Sequence, residues 1–181
     1  FGGRGSGPGQ FTRPTGVVVS SKNEIFVADH ENHGVQVYSM EGAYLRNLQT
    51  TRDRFFGGIA VDLRNGHVIV TRPESGKVLI FQPDGSLIGV FGQKLSVSRY
   101  VAVNIDGNIL MSSGGGVNIN TGNIVVPLQT TVRVYSSDGR PLFKFKASDI
   151  RKNQMSSLAG ICTDSLGNIL VVNWGDERVD M

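Results

Sequence analysis

The residues with the chemistry to act on a substrate are few and scattered. His30, His33 and His67 are the three histidines, and Cys162 is the single cysteine. A catalytic zinc needs three converging ligands, and this set does not supply them: His30 and His33 share one loop, and His67 lies in a turn at the other end of its unit. No Gly-x-Ser-x-Gly nucleophile motif occurs. Gly2-Gly3-Arg4-Gly5-Ser6-Gly7 has the composition of a phosphate-cradling loop, yet no P-loop lysine follows and no helix begins there. Asp62, Asp106 and Asp164, with Ser20 and Asn104 in register, follow equivalent apolar runs, so they are expected to cap turns and not to exchange protons. No catalytic residue, metal, cofactor or small-molecule substrate is expected. Cys162, inside Ile161-Cys162-Thr163, is expected to be a buried, inert thiol.

What remains is charge and aromatic surface. The chain carries 18 Lys and Arg against 15 Asp and Glu, a formal net charge of +3. A small excess matters only if it is concentrated, so its placement depends on the elements.

Those elements repeat. Gly16-Val17-Val18-Val19 recurs as Gly58-Ile59-Ala60-Val61, Tyr100-Val101-Ala102-Val103 and Gly160-Ile161-Cys162-Thr163. The first two intervals are 42 residues and the third is 60, so the third copy holds an insertion. Behind each lies a second run (Ile25–Ala28, Val68–Thr71, Ile109–Ser112, Ile169–Val172), preceded by a turn. An alternating third run follows in three copies (Val35–Tyr38, Val78–Phe81, Val132–Tyr135), and after a turn glycine there is a fourth. Asn-Gly, Asp-Gly and Gly-Asn supply the positive φ of tight hairpins. Each copy therefore reads as a four-stranded antiparallel meander of about forty residues, the period of a propeller blade. The first strand, apolar throughout, is expected to be buried on both faces. The alternating later strands are expected to have one wetter face.

The predicted fold is all-β, a β-propeller of about three and a half blades spanning residues 1–181. Residues 1–10 close a preceding blade and lead into blades at 11–48, 56–92 and 97–146. An inserted hairpin falls at 114–131, and an incomplete blade at 158–181. Phe1-Gly2 matches Phe91-Gly92, so further sequence is expected upstream. Such an arc leaves two sheet faces open, to be covered by missing blades or a neighbouring chain. No run of eighteen apolar residues occurs, so a membrane partner is not expected.

The first copy resembles an NHL repeat. Gly7-Pro8-Gly9-Gln10-Phe11-Thr12-Arg13-Pro14-Thr15-Gly16, Ile25-Phe26-Val27-Ala28-Asp29 and Asn32-His33-Gly34-Val35-Gln36-Val37-Tyr38 carry the likeness, with Gly34 standing where an arginine-like residue is usual. The other copies keep the strand register without the Asn-His pair. The opening and the terminal Tyr44-Leu45-Arg46 look most like the propellers of tripartite-motif proteins. The resemblance implies a six-bladed ring that binds RNA or protein. It also implies a cytoplasmic parent whose RING module, elsewhere in its chain, makes it a ubiquitin ligase. A few similar propellers are lyases, which stands as a remote alternative.

In a blade of this kind, the loops between strands two and three share one rim with the segments that lead from blade to blade. Eleven of the 18 cations and six of the 15 carboxylates fall there, so that rim is +5 and the remainder −2. Arg13, Arg54, Arg72, Lys77, Arg99 and Arg178, with Tyr100 and Trp174 for stacking, are the candidate contacts for single-stranded RNA. The insertion supplies a second candidate. Asn118, Ile119, Asn120, Thr121 and Ile124 form an uncharged hairpin tip suited to a protein partner.

Overall fold

The computed structural model describes every residue except 33, 49–56, 74, 93–97, 114–115, 118–123, 126–130, 147–157 and 174–176. The first sheet has the order β1-β2-β3-β4, from β1 (Pro14–Val19), β2 (Glu24–Asp29), β3 (Gly34–Ser39) and β4 (Tyr44–Leu48). The second repeats it with β5 (Ile59–Val61), β6 (Val68–Arg72), β7 (Lys77–Phe81) and β8 (Leu87–Phe91). The third is built from β9 (Ser98–Val103), β10 (Ile109–Ser113), β13 (Thr131–Tyr135) and β14 (Pro141–Lys146). Between its second and third strands, β11 (Gly116–Val117) and β12 (Ile124–Val125) pair as a separate hairpin. The last sheet is β15 (Leu158–Thr163), β16 (Ile169–Asn173) and β17 (Arg178–Asp180). The fold is a β-propeller of four antiparallel blades, the fourth with three strands among the described residues.

The turns follow the local chemistry. Asn23 takes φ 57°, and Gly66 supplies φ 77° in the equivalent turn of the second blade. Asn104 Oδ1 accepts the Asn108 amide at 2.8 Å, and Asp164 Oδ1 accepts those of Leu166 at 2.9 Å and Asn168 at 2.8 Å. Asp62 Oδ1 accepts the Arg64 amide at 3.0 Å. These recurring polar residues are turn caps, as their repetition indicates.

The core lies between the blades. Phe26, Val35, Val37 and Leu48 of the first blade meet Ile59, Val70, Leu79 and Phe81 of the second. Ile69 and Ile80 then meet Val101, Met111 and Tyr135 of the third, and Val132 meets Leu158 and Val171 of the fourth. Each such side chain, taken fully out of water, contributes about 1.5–3 kcal/mol. The first strands stand side by side, β1 against β5, β5 against β9 and β9 against β15. Thr15 Oγ1 donates to the Gly57 carbonyl at 2.9 Å, and Thr163 Oγ1 to the Val103 carbonyl at 3.3 Å, joining neighbours directly.

Three burial expectations are corrected. The third strands are covered on both faces, and it is the fourth strands that are exposed. Strand three sits between strands two and four, and its polar inward residue finds a partner, as Gln36 shows below. The first strand is buried in the second and third blades, but Val17 is 62% exposed and Val19 45%, because no other blade lies on that face of the first sheet among the described residues. Cys162 is exposed for the same reason, on the far face of the last blade beside exposed Val172 and Val179.

Candidate partner-binding rim

Strand register brings the candidate residues to one end of the blades. Pro14 pairs with Asp29, and Asp29 with Gly34, so Arg13 stands at the β2–β3 end of the first blade. Arg72 is directly opposite Lys77 across β6 and β7. Tyr100 pairs with Ser112, and Arg178 with Asn173, at the same end of the third and fourth blades. Arg99 lies in β9 beside Tyr100 and Ile124 in β12, both described by their backbone alone. Arg54, Trp174, Asn118, Ile119, Asn120 and Thr121 lie outside the described residues.

The backbone under Arg13 is fixed by a buried carboxylate. Asp29 is fully buried and accepts the amides of Thr12 at 2.8 Å and Arg13 at 2.7 Å. Asn32, 2% exposed, donates from Nδ2 to the carbonyls of Gly5 at 3.1 Å and Gln10 at 2.9 Å. Gln36 Oε1 accepts the Gly9 amide at 3.1 Å and the Tyr38 hydroxyl at 2.9 Å. Its Nε2 donates to the Gln10 carbonyl at 2.5 Å. These three polar residues bind residues 5–13 down onto the first blade. Asn32 thus braces the loop from its own side of the first blade, and His33 lies outside the described residues. The signal available in the sequence was a polar side chain at an inward position of a buried strand.

Part of the rim charge is already matched. Arg13 Nη1 lies 3.4 Å from Glu31 Oε1, an exposed pair of the kind that contributes at most about 1 kcal/mol. Arg178 Nε lies 2.7 Å from Asp180 Oδ1. Lys77 is exposed and has no ion-pair partner among the described residues, and it faces a second cation in Arg72. Tyr100 is 38% exposed. The structure thus brings Arg72 and Lys77 together and spreads the other candidates over separate blades.

The opposite end carries carboxylates held in their charged form. The Arg64 side-chain hydrogen bond, joined by its amide, keeps the Asp62 carboxyl below its ordinary range against the effect of burial. Hydrogen bonds from Ser86, Ser136 and Asn168 lower Asp84, Asp138 and Asp164 in turn. Arg64 also donates to the Asp106 carbonyl, tying the second blade to the third. Among the described residues this end thus presents Asp84, Asp138 and Asp164, while the other presents Arg72 and Lys77. His67 lies at this acidic end and His30 at the other. Among the described residues no three His, Cys, Asp or Glu side chains gather in a metal-holding group.

Comparison with known proteins agrees with the architecture. Residues 11–38 match the family model described as NHL repeat. Over 156 residues, 82% of this chain, the sequence is 30% identical to Protein brain tumor of Drosophila melanogaster. It is 48% identical over 44 residues, 24% of this chain, to B-box type zinc finger protein ncl-1 of Caenorhabditis elegans. The aligned parts amount to 14% and 5% of those relatives. A streptogramin B lyase structure superposes with TM-score 0.69 over 97% of this chain and 55% of its own, at 14% identity. A nidogen/laminin complex does so with TM-score 0.70 over 92% and 59%, also at 14% identity. Likeness at that identity establishes the fold alone. The repeat match, the relative 30% identical over most of this chain and the four stacked blades lead to one assignment: the chain belongs to the NHL-repeat β-propellers.

Proposed function

We propose that this propeller is a non-catalytic recognition module that binds single-stranded RNA along the rim of Arg13, Arg54, Arg72, Lys77, Arg99, Tyr100, Trp174 and Arg178. The observation that carries this reading is the contrast between the residues described at the two ends. Lys77 and Arg72 stand together on one, while the other presents the turn carboxylates Asp84, Asp138 and Asp164, whose hydrogen bonds lower their pKa. A polyanion is attracted to the first end and repelled by the second, and each phosphate neutralised releases counterions. Tyr100, partly exposed beside the cations, offers a base a stacking surface.

In this reading the parent polypeptide works in the cytoplasm as a ubiquitin ligase, and the propeller selects its targets. Titration of short labelled RNA pools at two salt concentrations tests the RNA contact. Saturable binding that weakens steeply with salt is expected, and a Lys77→Glu variant should bind less at both salt concentrations. Absence of binding at low salt, or binding indifferent to salt, overturns it.

A second reading rests on the β11–β12 hairpin, in which Val117 pairs with Ile124 and Gly116 with Val125 apart from the blade sheets. An uncharged hairpin of this kind suits a protein partner. It predicts that deleting residues 118–126 abolishes protein capture while Lys77→Glu leaves it intact.

A further inference from the structure

At the end of the blades away from the rim, the turns joining strands one and two, and strands three and four, lie wholly within the described residues. The turns after the first strands are the inner ones, since β1, β5, β9 and β15 stand side by side. Tight turns normally carry small or polar residues, and the first blade follows that rule with Ser21, Lys22 and Asn23. The other three blades depart from it. Leu63 is 63% exposed, Ile105 62% and Leu166 85%, each in the turn after its first strand.

These turns are neighbours. Arg64, which follows Leu63, lies against Gly107 and donates to the Asp106 carbonyl, both in the turn that carries Ile105. Thr163 donates to the Val103 carbonyl at 3.3 Å, and the next residue in each chain segment, Asp164 and Asn104, begins its turn. Capping pins each turn. Asp62 accepts the Arg64 amide at 3.0 Å, Asn104 that of Asn108 at 2.8 Å, and Asp164 that of Leu166 at 2.9 Å. Three aliphatic side chains are thus held out from a fixed backbone, so little ordering opposes their coverage by a partner.

The surrounding charge indicates what kind of partner. The turns at this end hold six carboxylates and three cations. Asp62 and Arg64 satisfy each other at 2.7 Å. Glu41, Asp84, Asp106, Asp138 and Asp164 remain, against Lys22 and Arg140. Apolar surface rimmed by polar residues marks an interaction site, and an acidic border favours a cationic occupant.

We propose that this end docks a basic, apolar segment of a protein partner. Its large apolar side chains cover Leu63, Ile105 and Leu166, and its Lys or Arg residues face Asp84, Asp106, Asp138 and Asp164. The same carboxylates repel a nucleic acid. The surface lies at the opposite end from the rim and from the β11–β12 hairpin, and it goes beyond both readings above.

The test is selection of short random peptides, displayed on phage, against the whole chain. A Leu63→Ser/Ile105→Ser/Leu166→Ser variant serves for counter-selection. All three side chains are exposed, so its unfolding midpoint should match the wild type. Enriched peptides should combine large apolar residues with Lys or Arg. Synthesised singly, they should bind the triple variant at least about tenfold more weakly than the wild type. Asp84→Asn with Asp138→Asn keeps an acceptor in each turn while removing two charges. It should weaken binding several-fold, and added salt should weaken the wild type likewise. Lys77→Gln should change nothing. Failure to enrich any peptide that prefers the wild type to the triple variant overturns the proposal. So do enriched peptides without basic residues, or undiminished binding by the Asp84→Asn/Asp138→Asn variant. Loss of binding in Lys77→Gln assigns the peptides to the rim and overturns it as well.

Discussion

The ring of Phe91, the last residue of the second blade, lies on Tyr135 of the third with centroids 4.9 Å apart and planes inclined at 51°. Phe1 makes the same contact with Tyr38 at 4.7 Å. The first and third blades are thereby each latched by the segment preceding them. Phe91→Ala should cost about 2 kcal/mol, less than the roughly 3–5 kcal/mol of a fully buried phenylalanine because Phe91 is half-exposed. Denaturant unfolding monitored by circular dichroism measures the difference.

Gly139 is the seat of that ring. It has φ 84°, and a Cβ there would collide with the Phe91 side chain. Gly139→Ala should therefore destabilise the protein by about 2 kcal/mol, the sum of backbone strain and displacement of the ring. In a Phe91→Ala background the cost should fall to the strain alone, about 1 kcal/mol. A double-mutant cycle in urea reads this coupling, and strict additivity would show that the ring is not what the glycine accommodates.

Glu24 and Arg46 form a bidentate pair, Nη1 to Oε1 at 2.6 Å and Nη2 to Oε2 at 3.0 Å. Nη2 also reaches the Pro83 carbonyl of the next blade at 2.8 Å. The hydrogen bond from Arg46 holds the Glu24 carboxyl below its ordinary value, against burial. A depressed folded pKa stabilises above the unfolded value, near 4.3, and that contribution is lost as pH falls through the folded value. The stability advantage of the wild type over Glu24→Gln should be constant above about pH 5.5 and shrink below it. Thermal unfolding across that range checks the sign.

Asp29 anchors the backbone that presents Arg13. Asp29→Ala leaves the Thr12 and Arg13 amides without their acceptor and should cost about 2–3 kcal/mol. If the rim binds RNA as proposed, the same change should weaken binding even though no contacting side chain is altered. Parallel unfolding and RNA titrations separate the two effects.

The blade architecture was legible because it repeats. The apolar runs, the turn residues and the 42-residue interval each state the same meander, and the caps at Asn104 and Asp164 recur in register. Burial was less legible, because it depends on neighbours. Val17 and Ile59 occupy equivalent strand positions, yet Ile59 is buried and Val17 is exposed for want of a blade beside it. The net charge of the rim also depends on pairing that spacing conceals, since Glu31 lies 18 positions from the Arg13 it neutralises. Arg133 and Lys144 are 11 positions apart, and only the β13–β14 register sets them face to face. An arginine within the apolar run Val132–Tyr135 was the one trace of them in the sequence.

The latch between successive blades also bears on how such a protein can evolve. Both of its halves sit at fixed places in the repeat: an apolar residue closing strand four, and an aromatic with a glycine turn at the end of strand three. Leu48 against Gly85 is a further instance, with Phe81 as the aromatic. A unit that carries its own plug and its own socket can be duplicated, lengthened or exchanged whole, and its copies will still engage. The third blade shows that freedom in use, accepting a hairpin at one end and a charged pair in its outer half while Phe91 and Tyr135 hold the join unchanged.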